Sequence, residues 1–103
     1  MNFGLTDKQL DEIIKIISLF DEIESALFFG SRAVNNHKEA SDVDIALKGS
    51  RVTIDITNKV HSLLKETNIP FFFDVLNYNT VNNEELKSQI DKHGIQFYSI
   101  KAE

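Results

Sequence analysis

Residues 28–47, FFGSRAVNNHKEASDVDIAL, decide how this chain must be read. An apolar run stops at Gly30-Ser31, a polar loop follows, and a second apolar run opens with two aspartates one residue apart. Ser25–Phe29 has the length and composition of a buried strand ended by glycine. Residues 31–34 suit the first turn of a short helix. Asn35-Asn36-His37-Lys38-Glu39 is a polar loop, and residues 43–47 form a second strand closed by Lys48-Gly49-Ser50. Aspartate is a poor strand former, and two on one strand face repel each other. Asp42 and Asp44 therefore need a role that offsets their cost.

Working outward, Thr6-Asp7-Lys8-Gln9 has the form of a capping box, with Leu5 and Leu10 as its hydrophobic staple. Leu10, Ile13, Ile14, Ile17 and Phe20 then fall on one face of a helix. Residues 51–67 read two ways. Val52-Thr53-Ile54-Asp55-Ile56-Thr57 alternates like a strand, whereas Val52, Ile56, Val60, Leu63 and Leu64 make a helical stripe. Helix is taken for most of this span. Pro70 opens a third strand over residues 71–76. Asn82 or Asn83 caps a helix with Glu84 and Glu85 in its first turn and Lys92-His93-Gly94 at its end. Residues 95–98 make a last, edge strand. The order α-β-α-β-α-β-α-β predicts an α/β (α+β) fold, a small mixed sheet of about four strands packed by helices.

At 103 residues the chain is expected to be a single domain, residues 1–103. Its 42% hydrophobic content is enough to build a core. The absence of cysteine excludes disulfides and thiolate zinc sites, which points to a reducing cytoplasm. The acidic amphipathic start does not resemble a signal peptide, and the apolar runs are too short to span a bilayer, so no membrane role is expected. A net charge of −5 leaves no electrostatic footprint for bulk nucleic acid. If the protein handles phosphates, cations must help it.

Strand parity locates the chemistry. Side chains alternate, so Asp42 and Asp44 share a face, about 6–7 Å apart along the backbone. Val43, Ile45 and Leu47 take the other, core-facing side. In the third strand Phe71, Phe73 and Val75 match the core, while Asp74 points away with Phe72 and Leu76. If these strands are neighbours, three carboxylates converge. Unpaired, such a cluster is repulsive and one member takes up a proton. Oxygen-preferring divalent cations remove the problem, because Mg²⁺ binds carboxylates and substrate phosphates together. Gly30-Ser31 supplies the other half, since a glycine after a strand lets backbone and hydroxyl approach a phosphate.

Gly30-Ser31-Arg32-Ala33, then Ser41-Asp42-Val43-Asp44-Ile45-Ala46-Leu47, then Phe73-Asp74-Val75-Leu76, resemble the minimal nucleotidyltransferase family of the DNA polymerase beta superfamily. The resemblance spans essentially the whole chain. It implies that Asp42, Asp44 and Asp74 are catalytic and hold two Mg²⁺ ions, with Asp74 also helping to deprotonate the attacking hydroxyl. It further implies that Gly30 and Ser31, with Arg32 and Ser41, hold the triphosphate of ATP or another nucleotide. A nucleoside monophosphate would pass to an acceptor hydroxyl with release of pyrophosphate. Members often follow the glycine-serine-arginine-alanine run with arginine-glycine, whereas this chain continues Val34-Asn35-Asn36-His37. Asparagine tolerates positive φ, so the turn can survive. Arg32 is then the one arginine of the loop expected to grip phosphate, with Lys38 as a weaker helper.

The family's stand-alone members pair with small all-helical HEPN-type proteins in toxin–antitoxin-like modules. The resemblance thus implies an antitoxin that transfers AMP to its partner, within a homo- or hetero-oligomer. A contact-only antitoxin or accessory subunit is the rival reading, and small-molecule nucleotidylation a weaker third. His37, His61 and His93 share no metal-ligand spacing and are expected to be structural. Asp55 belongs to an exposed helix turn, and Tyr78 and Tyr98 are sheet-end aromatics. Phe72, beside Asp74 by parity, stacks on a base, meets a partner, or simply packs.

Overall fold

The fold comes from a computed structural model that describes residues 3–35 and 40–100. Helix α1 spans Asp7–Ile17. Its capping box forms as the sequence predicts: Thr6 Oγ1 accepts from the Gln9 N–H at 3.0 Å, and Gln9 Oε1 accepts from the Thr6 N–H at 2.9 Å. Ile13 and Ile17 are fully buried. The helix stops at Ile17, short of Phe20, which still packs against the core from the following turn.

Strand β1 (Ser25–Phe29) leads into a 3₁₀ turn at Gly30–Arg32, and β2 covers Val43–Lys48. The double reading of residues 51–67 resolves as helix α2, Ile54–Lys65, because Thr53 caps it by accepting from the Ile56 N–H. Strand β3 spans Phe73–Asn77, two residues later than the sequence predicts, since Phe71 turns aside to lie under the Arg32 guanidinium. A 3₁₀ turn at Tyr78–Thr80 follows, then α3 (Glu84–His93), whose cap is Asn83, and β4 (Ile95–Ser99).

The sheet order is β3-β2-β1-β4. β1 pairs antiparallel with both β2 and β4, and β2 pairs parallel with β3. The sheet is therefore mixed, with β4 at an edge as expected. Parallel pairing requires a crossover, and α2 supplies it.

The alternation of side chains divides the sheet into two faces. Ala26, Phe28, Val43, Ile45, Leu47 and Phe73 join α1 and α2 in the main core. Phe28 stacks on Phe97 with ring centroids 3.9 Å apart. Burying each such side chain stabilises the fold by roughly 1.5–3 kcal/mol. On the opposite face Leu27, Phe29 and Ala46 meet Ile90 of α3, with Leu76, Tyr78 and Leu86 packed around them. The face that carries the aspartates is thus not open along its length. Helix α3 covers the part towards Ala46 and Leu76 and leaves the part at Asp44 and Asp74 accessible.

Candidate active site

The three aspartates take their positions from strand register. Asp44 of β2 lies directly opposite Asp74 of β3 and also opposite Phe29 of β1. Asp42 sits two residues before Asp44, just ahead of the strand, with its side chain exposed. Asp74 is likewise exposed, and Asp44 is half-buried. The expected convergence is present in part: Asp44 and Asp74 are cross-strand neighbours, and Asp42 is near enough for its charge to act on Asp44. Its electrostatic signature falls on Asp44, whose carboxyl is pushed up to about 6, first by burial and then by the charges of Asp74 and Asp42, against a lowering pull from Arg32.

Gly30 closes the site from the β1 side. Its φ is +74°, in the left-handed region, and a side chain there would collide with Asp44 Oδ2. Glycine is required twice over, by backbone conformation and by space. Ser31 follows in the 3₁₀ turn, half-buried. Asn35 adopts φ 57°, so asparagine does carry the left-handed position that the altered loop needs. Asn36, His37, Lys38 and Glu39 lie outside the described residues, and with them the expected phosphate role of Lys38.

Arg32 departs from expectation. It is 1% exposed. Its Nε–H donates to the carbonyls of Ser41 and Asp42 at 3.2 Å each, Nη2 donates to Ser41 at 2.7 Å, and Nη1 donates to Phe3 at 2.8 Å. The guanidinium also lies 4.4 Å above the Phe71 ring. A planar fork already committed to backbone carbonyls has little left for a phosphate. The expected phosphate grip is corrected accordingly. Arg32 ties the chain before β2 to the N-terminal segment and so fixes the backbone that presents Asp42 and Asp44. Ser41 contributes its carbonyl to that tie.

The chemistry of the donors suits Mg²⁺: carboxylate groups, one of which, Asp44, is raised towards neutral pH by burial and by its acidic neighbours. Among the described residues, no three carboxylate or imidazole groups stand together as a ready-made metal cage. A bound ion would therefore complete its shell from phosphate oxygens and water, as Mg²⁺ commonly does.

A cleft of about 330 Å³ adjoins the turn, lined by Gly30, Ser31, Val34, Gln89 and His93. A larger groove of about 500 Å³ runs along α1 from Thr6 to Lys15, away from the Gly30-Ser31 turn, and neither cavity is lined by Asp42, Asp44 or Asp74. Chemistry, not size, identifies the site. Gln89 was not singled out by sequence, and His93 is expected to be only structural. No local pattern links the end of α3 to Gly30. That helix is held by Ile90 and by Tyr78, whose hydroxyl donates to the Asp91 carboxylate and is thereby held more basic than usual. His61 does have a structural place, its Nε2 lying 3.1 Å from the Phe73 carbonyl oxygen. Asp55 is exposed on the first turn of α2. Phe72 is 81% exposed.

Comparison with known proteins bears on the family and the fold. Residues 11–103 match the family described as polymerase beta, nucleotidyltransferase. No curated protein matches the chain significantly. Among solved structures, a mutant MntA toxin–antitoxin is similar with a TM-score of 0.72 and 17% identity, covering 89% of this chain and 74% of that one. A toxin–antitoxin with AMP-PNP gives 0.67 and 19%, with coverage of 89% and 74%. The toxin–antitoxin MntA-HepT gives 0.62 and 18%, with coverage of 93% and 74%. At these identities the likeness is one of fold.

Proposed function

The chain belongs to the polymerase beta nucleotidyltransferase family, and from that premise we propose that it is a Mg²⁺-dependent enzyme moving AMP from ATP onto a hydroxyl of a partner protein. One observation carries the proposal: Asp44 lies opposite Asp74 in register, with Gly30 against its carboxylate. A binding module gains nothing from that repulsion, whereas a phosphoryl-transfer site needs it.

Asp42, Asp44 and Asp74 would hold Mg²⁺, which when bound neutralises carboxylate and phosphate charge together. Gly30 lets the triphosphate approach the backbone, and the Ser31 hydroxyl donates to a phosphate oxygen. The acceptor hydroxyl oxygen attacks the α-phosphorus, and its proton passes to the exposed Asp74 carboxylate. The bond from the α-phosphorus to the bridging oxygen breaks, and its electron pair leaves with pyrophosphate. The chain's contribution is placement and electrostatics.

The acceptor is proposed to be a small all-helical HEPN-type toxin, with this chain as its antitoxin. The similar fold of MntA-HepT supports that reading, as does Phe72, a large apolar side chain exposed two residues from Asp74. A contact-only antitoxin is the second reading, favoured by the commitment of Arg32 to carbonyls. Incubation with α-labelled ATP, Mg²⁺ and the product of the adjacent gene separates the two. Label is expected on the partner and lost in Asp42→Asn/Asp44→Asn. If wild type transfers no label and the double mutant still neutralises the partner, the contact-only reading stands.

A further inference from the structure

We propose that Gln89 and His93 grip the pyrophosphate end of the nucleotide, the task for which Arg32 is not available. The inference rests on the nucleotidyltransferase reading above and adds the residues that handle its leaving group.

The two side chains lie four residues apart, on one face of α3. Both are exposed, and both line the cleft whose other wall is Gly30 and Ser31. Their helix is fixed in place. Ile90, between them in sequence, is 1% exposed against Leu27, Phe29 and Ala46, and the hydroxyl of Tyr78 bonds Asp91 one residue further on. The cleft is at the small end of ligand pockets, which run from about 300 Å³ upward.

The site needs such donors. As the bond between the α-phosphorus and the bridging oxygen breaks, negative charge builds on the departing pyrophosphate. Fixed N–H groups aimed at that charge are the usual means of stabilising it. Asp44 and Asp74 face each other across the strands with the charge of Asp42 nearby, so the aspartate side offers a phosphate no donors, and the Arg32 guanidinium is buried among carbonyls. Among the side chains lining the cleft, the His93 imidazole and the Gln89 amide carry N–H donors, alongside the Ser31 hydroxyl. The end of a helix has negative dipole character, which repels phosphate unless a cationic or donor side chain stands in front of it. His93 occupies that position in the last turn of α3.

The test is equilibrium binding, by titration calorimetry with Mg²⁺ present, of ATP, inorganic pyrophosphate and AMP. His93→Ala and Gln89→Ala are each expected to weaken ATP and pyrophosphate by about tenfold, one hydrogen bond to a charged group, and to leave AMP unchanged. His93→Lys should restore the pyrophosphate affinity, which a purely structural histidine would not. Circular dichroism of each variant checks that α3 persists. Unchanged ATP affinity in both alanine variants overturns the inference, and an equal loss for AMP assigns the cleft to the nucleoside instead. A wild-type protein that binds no ATP overturns the nucleotidyltransferase reading itself, and this inference with it.

Discussion

Replacing Asp44 with asparagine should make the metal-free protein more stable while destroying its activity. The Asp44 carboxyl titrates at about 6 in the fold, against 3.8 for a free aspartate. Because the folded value is raised, the native state binds the extra proton, and stability falls as pH rises between those two values. Above pH 6 the full penalty applies, and by about pH 4 little of it remains. A gap of about 2 pH units at 1.36 kcal/mol each sets an upper limit near 3 kcal/mol. Asp44 is only half-buried, so solvent screening reduces that to about 1–2 kcal/mol. For a chain of this length the gain is a Tm rise of roughly 5–10 °C. The assay is thermal unfolding of wild type and Asp44→Asn with chelator, at pH 7.5 and at pH 4. Asp44→Asn should be the more stable at pH 7.5 and nearly equal at pH 4. Mg²⁺ should raise the Tm of wild type and not that of the variant. If Asp44→Asn is no more stable than wild type at pH 7.5, or its advantage persists at pH 4, charge crowding at Asp44 is not the cause and the argument fails.

Two further outcomes follow from the same geometry. Gly30→Ala forces a side chain into a φ of +74° and against the Asp44 carboxylate, and should cost about 2–3 kcal/mol by urea unfolding along with nucleotide transfer. A variant within 0.5 kcal/mol of wild type would show that the turn is not constrained as described. Arg32→Lys should be nearly as damaging as Arg32→Ala, about 2–4 kcal/mol, because a compact ammonium cannot span the Phe3, Ser41 and Asp42 carbonyls that the guanidinium reaches from three separate nitrogens. Full rescue by lysine would restore the view of Arg32 as a simple cation.

Much of the molecule is legible residue by residue. The Thr6–Gln9 box, the Ile13 and Ile17 face and the Asn83 cap form where local rules put them, because capping and helical periodicity depend on neighbours within a few positions. Alternation likewise places Val43, Ile45 and Leu47 on one face and Asp42 and Asp44 on the other. Where local rules compete, context decides. Thr53 chose helix for the ambiguous span, and Phe71 left its strand to stack under Arg32.

The sequence by itself determined the elements, their faces and the residue types that can hold metal and phosphate, since each of these is written in spacings of two to four residues. Only the tertiary structure decided that Asp74 lies opposite Asp44, that Arg32 is consumed by carbonyls from residues 3, 41 and 42, and that α3 brings Gln89 and His93 to the Gly30 turn. Those outcomes depend on strand order and on which sheet face a helix covers. Both are settled by burying apolar surface between residues distant in sequence, where no local spacing carries the information.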